Sequence, residues 1–398
     1  MAATRTSARR WLRPPQLRTL ATGSGERHAS WLELFFDLVL VVGIAQLAHL
    51  FAHHPDWHGA LLAGGLFVAV FLAWQGFSFY ADRFDTDDFP FRIATFAQML
   101  ALLALAVQVG DVAKGNHAGF AVAFAALRAV LVALYARAYR YAPLARPLIR
   151  RYAGVYAVSV VLWLVSAALP ASWSLVLWPI AILLDLSMPP LSTRLHRGIP
   201  VDTAHVPERF GLFTIIVLGE LVVAVGIGTM EATWSPGVLT VGVAGFCIAA
   251  CLWWVYFERL LGQELPHAAA PIVTYAYAHL PLLAALMFVA GGVSVLVRAH
   301  DEAAVAAGAW ALCAGVATFL AALSLAHAQL SAPPIRPVFL ARWIAVAALL
   351  VVPVVARTPI AVTAVTLAVL VALVVYEGVM CAPIEHTHGQ AHGARDAS

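Results

Sequence analysis

The chain has 398 residues, 62% of them hydrophobic and 11% charged, where a soluble domain carries about 25% charged residues. Together with a mean hydropathy of +0.85, this excludes an ordinary water-soluble domain and a nucleic-acid binder. It predicts an all-α polytopic membrane protein whose main partner is the lipid bilayer. The net charge of +3 says little beside its distribution, since Lys114 is the single lysine among 24 basic residues.

Residues 1–30 are basic and lead into an apolar run of full spanning length. They read as an uncleaved cytoplasmic tail, with an arginine-rich organellar presequence as the alternative. Spans of about 20 apolar residues are expected near 33–53, 59–79, 91–110, 118–139, 153–170, 173–191, 208–230, 236–258, 272–297, 303–326, 338–356 and 359–379. With the N-terminus inside, 20 of the Lys and Arg fall on the cytoplasmic side and three outside (Lys114, Arg298, Arg357), while Arg128 lies within a helix. That bias predicts an even number of spans, both termini cytoplasmic and, for a bacterial chain, an inner-membrane location. Residues 381–398, with His386, His388 and His392, read as a disordered polar tail.

The first span opens with Glu33-Leu-Phe-Phe-Asp37-Leu-Val-Leu-Val, and the seventh with Glu208-Arg209-Phe-Gly-Leu-Phe-Thr-Ile-Ile-Val-Leu-Gly-Glu220. The spans that follow end alike, in Trp74…Tyr80-Ala-Asp82-Arg83 and Trp253-Trp254-Val-Tyr256-Phe-Glu258-Arg259. Gln98 in the third span corresponds to His279 in the ninth. The common order and a nearly constant offset predict two parallel six-helix repeats, 31–197 and 198–380, related by an axis along the membrane normal.

The two acidic motifs, with Gln46-Leu-Ala-His49-Leu and Tyr277-Ala-His279-Leu-Pro281-Leu, resemble the bacterial low-temperature-requirement protein A family from about residue 31 to about 380. That family often has Ser or Thr after the second motif's glutamate, where this chain has Leu221. The resemblance implies an identity and a membrane topology. It implies no substrate or reaction.

Carboxylates inside a span persist where they bind an ion, carry a proton or pair with another charge. Glu33 and Asp37 share a helix face. Glu220, about 18 Å along its helix from Glu208, falls near the midplane, where Gly219 leaves room for a neighbouring backbone. These residues with Gln46, Gln98, Glu208 and His279 form the candidate ion, proton or substrate path. For Arg128 and Asp185 a structural ion pair is the preferred reading, with Asp37 and Glu220 as other partners for the arginine. Trp74, Trp253, Trp254, Tyr80 and Tyr256 fit an interfacial aromatic belt.

Cys247, Cys251, Cys313 and Cys381 have neither zinc spacing nor a disulfide pattern. No nucleotide loop, HExxH or GxSxG motif is present. No catalytic residue, metal or cofactor is therefore assigned. The leading expectation is a transporter of a small solute or cation coupled to protons. The alternatives are a cation channel of two six-span repeats, and a membrane-embedded lipid-modifying enzyme or sensor. For the last, Glu33, Asp82, Arg83, Glu208, Arg209, Glu258 and Arg259 sit together near one interface; the same residues would equally serve as an ion network between the repeats.

In a background without native cysteines, a cysteine placed at His54–His58 should react with an impermeant thiol reagent from outside the cell. One at Arg146–Arg150 should not. The opposite labelling pattern would reverse the orientation.

Overall fold

The computed structural model describes residues 11–17, 30–85, 87–195, 205–260, 263–266, 268–331 and 335–380. The expectations for most of the basic tail, Cys381 and the C-terminal histidines lie outside these residues. Among these described residues, twelve helices are long and apolar enough to cross a membrane. In chain order they are α1 (Trp31–His53), α2 (Trp57–Arg83), α3 (Phe89–Ala113), α4 (Ala118–Tyr141), α5 (Arg146–Ala168) and α6 (Ser174–Leu191). The second half adds α7 (His205–Glu231), α8 (Pro236–Leu260), α9 (Ala269–Arg298), α10 (Glu302–His327), α11 (Arg336–Val355) and α12 (Pro359–Met380). A two-residue antiparallel ladder pairs β1 (Gln16–Leu17) with β2 (Phe84–Asp85).

Short polar side chains start several of these helices by accepting otherwise orphaned amide hydrogens. Ser30 caps α1, and its hydroxyl also donates to Glu33 Oε1 at 2.9 Å, in the Ser-x-x-Glu spacing of a capping box. Asp56 caps α2, Asp88 caps α3 and Asp301 caps α10. Asp88 has a second task. It pairs with Arg137 at the end of α4 and accepts from the Arg13 amide at 3.0 Å, so it ties the N-terminal segment to the bundle. The fifth helix begins seven residues earlier than the hydropathy suggested. Leu148, Ile149 and Tyr152 bury one face of that basic stretch while its arginines point outward.

The helices alternate in direction. The beginnings of α1 and α7 meet the end of α2 at one face of the bundle. The ends of α7 and α9 meet at the other, through Glu231 and Arg298. In the first half, α1 packs on α2 and α3, α3 on α4, α4 on α5, α5 on α6, and α2 on α4 and α6. The same neighbour order, shifted by six helices, holds in the second half. The halves meet mainly where α7 and α9 lie against α1. Tyr277 of α9 also donates to the Leu186 carbonyl of α6, and Phe51 stacks edge-on to Phe288 at 5.2 Å.

The most buried span is α9, which packs tightly on α10. A Cβ on Gly292 would come within 2.7 Å of the Leu312 amide nitrogen, and one on Gly315 within 3.1 Å of the Ala285 carbonyl oxygen. Glycine lets these two backbones touch, the small-residue packing that membrane helices use in place of a hydrophobic drive.

Each half carries a buried polar bridge between its fourth and sixth helices. In the first, Arg128 Nε donates to Asp185 Oδ2 at 2.9 Å, and the guanidinium lies over Phe124 and Tyr156. In the second, the corresponding contact is Cys313 Sγ to Thr366 Oγ1 at 3.3 Å. The second half has its own ionic lock elsewhere. Arg342 of α11 grips Glu377 of α12 through two hydrogen bonds, at 2.7 and 2.9 Å, and Arg259 of α8 adds a third at 3.3 Å. These arginines, placed by hydropathy at the membrane boundary, are partners of a buried carboxylate.

Asp185→Asn strands the Arg128 cation and should cost about 3–5 kcal/mol in reversible unfolding in detergent. Thr366→Val should cost only about 1 kcal/mol. Equal effects would mean that the ionic character of the first bridge is irrelevant.

Candidate functional site

Three helices from both halves converge on one buried polar cluster, and each presents a pair four residues apart on one face. Glu33 and Asp37 come from α1, Ser78 and Asp82 from α2 with Trp74 one turn earlier, and His205 and Arg209 from α7. Every one of these side chains is buried.

Arg209 is the hub. Its Nη2 donates to Asp37 Oδ1 at 3.0 Å and to Ser78 Oγ at 3.1 Å, and its Nε lies 3.6 Å from Glu33 Oε2. Asp37 Oδ1 also accepts from Trp74 Nε1 at 2.7 Å. His205 lies between two carboxylates, with Nδ1 3.2 Å from Asp82 Oδ1 and Nε2 3.8 Å from Glu33 Oε2. Beside them is a cleft of about 10 Å³, room for roughly one water. It is lined by Trp74, Gln75, Ser78, Asp82, His205 and Arg209. Asp37 Oδ2, Asp82 Oδ2 and Gln75 Nε2 are buried atoms without a hydrogen-bond partner among the described residues. The site therefore offers unused acceptors and a donor to a small polar guest.

The aromatic expectation is corrected here. Trp74, Tyr80 and Tyr256 are fully buried, while Trp253 and Trp254 are exposed as an interfacial belt requires. Trp74 is held inward by its bond to Asp37 and by Phe210 and Phe213, with ring centroids 4.9 and 4.4 Å away. Tyr80 donates to the Leu134 carbonyl, and Tyr256 bonds to His279. A polar tip with a buried partner no longer needs the interface.

The remaining sequence candidates do not gather at this cluster. Arg128 and Asp185 are brought together, as described, and neither Asp37 nor Glu220 is the arginine's partner. His279 is fully buried on α9, with Nδ1 2.8 Å from the Tyr275 carbonyl and Nε2 2.9 Å from the Tyr256 hydroxyl. It is linked to the cluster through Phe210, whose ring lies tilted against it with centroids 4.5 Å apart. Gln98 is buried on α3, and Gln46 is exposed on the perimeter of α1. Glu208 is half-buried beside Arg209. Glu220 is half-buried on the outer side of α7, flanked by exposed Gly219, Val222 and Val223. It makes no hydrogen bond or ion pair with the described residues. Gly219 faces open space, and no neighbouring backbone among the described residues packs on it.

The sequence reading did not single out His205, Ser78 or Glu377. A usable signal for the first was present: His205 and Arg209 repeat on α7 the four-residue spacing of Glu33 and Asp37 on α1.

A family model for the bacterial low temperature requirement A protein matches residues 28–375, nearly the whole chain. The chain belongs to that family. Both acidic motifs and every residue of the cluster lie within the match. The chain is also similar to an uncharacterized protein, RA0937, of Rhizobium meliloti (strain 1021). The two are 27% identical over 280 residues, covering 66% of this chain and 68% of that one. The family membership establishes a multi-span membrane protein, and the geometry at the α1–α2–α7 junction carries the chemistry from there.

Trp74→Phe removes one donor from Asp37 and should cost about 1.5–3 kcal/mol in unfolding measurements. Arg209→Met leaves Glu33 and Asp37 without their cation and should cost more, about 3–5 kcal/mol. An Arg209→Met protein as stable as the wild type would remove Arg209 from the centre of the cluster.

Proposed function

We propose that this chain is a transporter that moves a small solute or cation across the bacterial inner membrane, coupled to protons, with both termini cytoplasmic. The observation that carries the reading is the Asp37–Arg209 bridge, which joins side chains 172 residues apart on helices of opposite halves. A proton or cation captured by Asp37 competes with Arg209 for the same carboxylate. Capture therefore weakens the contact between the halves, and a ligand shifts a conformational equilibrium only by such a difference in affinity between states.

Two further observations support it. The helix neighbour order of α1–α6 recurs in α7–α12, in keeping with two six-helix repeats that rock against one another about a shared site. The arginine-rich connections gather on the side where α1 and α7 begin, in keeping with a cytoplasmic location for that face. Asp37 is the principal residue of the proposal, with Glu33 and Arg209 setting its charge balance. Glu220 stands apart from the cluster as a second protonatable group at mid-helix.

The full-length protein in liposomes holding a pH-sensitive dye should move protons when a Na⁺, K⁺ or mixed small-solute gradient is imposed. Asp37→Asn keeps size and hydrogen bonding but loses the charge, and it should abolish that movement while still inserting. Wild-type vesicles that stay silent under all three gradients would remove the transport reading.

A further inference from the structure

We infer that His205 is a second group of this site, beside Asp37, that takes up and releases a proton, and that it does so between Glu33 of α1 and Asp82 of α2. This deepens the transport reading by adding a proton-binding residue to Asp37.

The argument begins with geometry. The imidazole is 1% exposed, and its two nitrogens face carboxylates on two different helices. A neutral imidazole has one N–H and one lone pair. It can donate to one of these carboxylates and must turn a lone pair toward the other. An imidazolium carries an N–H on both nitrogens, so the protonated ring meets Asp82 at hydrogen-bond distance and turns a second positive N–H toward Glu33, 3.8 Å away. Histidine is the side chain whose ordinary titration falls between about pH 5 and 8.

Charge balance points the same way. The ionisable groups around His205 are Glu33 and Asp37 on α1, Asp82 and Arg83 on α2, and Arg209 with half-buried Glu208 on α7 itself. On α8 and α9, Tyr256, Tyr275 and His279 bond among themselves. Four carboxylates thus surround Arg209, which pairs with Glu33 and Asp37, while the Arg83 guanidinium lies over Phe79 and Tyr152. A proton on His205 offsets part of that negative surplus, and releasing it leaves the site more negative, open to a cation or to separation of the helices. The adjoining cleft, with room for about one water, touches His205, Asp82 and Arg209, which sets a water-sized space against the imidazole.

The test is the pH dependence of thermal stability of the purified full-length protein in detergent, read between pH 5 and 8. The wild type should show a transition in Tm across this range. His205→Gln should lose that transition, and His49→Gln, which removes an exposed histidine on α1, should keep it. Glu33→Gln and Asp82→Asn each retain the ring but remove a carboxylate that faces it, so each should shift the transition. A folded His205→Gln protein with the wild-type pH profile overturns the inference. If that variant does not fold, the two carboxylate variants decide, and an unmoved transition in both overturns it equally. Silent vesicles with the Tm pattern intact would remove transport and leave the proton site standing. Proton flux with a pH profile indifferent to His205 would do the reverse.

Discussion

A charge inside a bilayer needs a partner, and in this protein that requirement decides which helices touch. Arg209 sits one turn into α7 and is buried. Its positive charge is paired only because α1 brings Asp37 and Glu33 to the same place, where Ser78 of α2 also accepts from it. None of these groups is stable at that depth without the others. The junction of the two halves is therefore fixed by electrostatics, and apolar packing fills in around it. Trp74 shows the order of priority: its N–H is spent on Asp37, and its ring then fills the space between Asp37 and two phenylalanines of α7.

Away from that junction each half is pinned by a bridge of its own, and the two differ in kind. Arg128 and Asp185 lock α4 to α6 in the first half, inside an aromatic cage. Arg342 and Glu377 lock α11 to α12 in the second, where the α10–α12 contact equivalent to the first bridge is a thiol and a hydroxyl. The helices keep the same neighbours in both halves while the polar chemistry between them diverges. The cluster at α1, α2 and α7 differs from both locks in one respect that matters for function. It keeps unused polar atoms beside a small cleft, where a bidentate lock such as Arg342–Glu377 has spent its pairing capacity.

Glu220 and His279 illustrate how neighbours change the meaning of a residue. His279 has a partner for each ring nitrogen and lies in the packed centre of α7, α8 and α9. It positions the aromatic column that ends at Trp74. Glu220 has the opposite surroundings, on the outer face of α7 among exposed aliphatic residues. A carboxyl there meets lipid, or whatever packs on that face, and it stands eleven residues, about 16 Å, further along α7 than Arg209.

Composition and hydropathy determine the all-α membrane class, the twelve spans and nearly all their limits, because spanning a bilayer demands about 20 apolar residues whatever the fold. The motifs around Glu33, Asp37, Glu208 and Glu220 were equally sufficient for the family. Sequence also marked Asp37 as needing a partner, since a charge in a span is costly wherever it lies. It grouped Arg209 with Glu33 and Asp82 in a possible ion network between the halves, but it could not pair that arginine with Asp37, 172 residues away. Helix rotation was hidden for the same reason. Trp74 and Trp253 occupy matching places in the chain, yet one is buried and the other faces outward. In a helix apolar on every side, the hydrophobic pattern gives no inward direction. Which face turns in is decided only when a neighbouring helix supplies the carboxylate, hydroxyl or carbonyl that a buried polar tip requires.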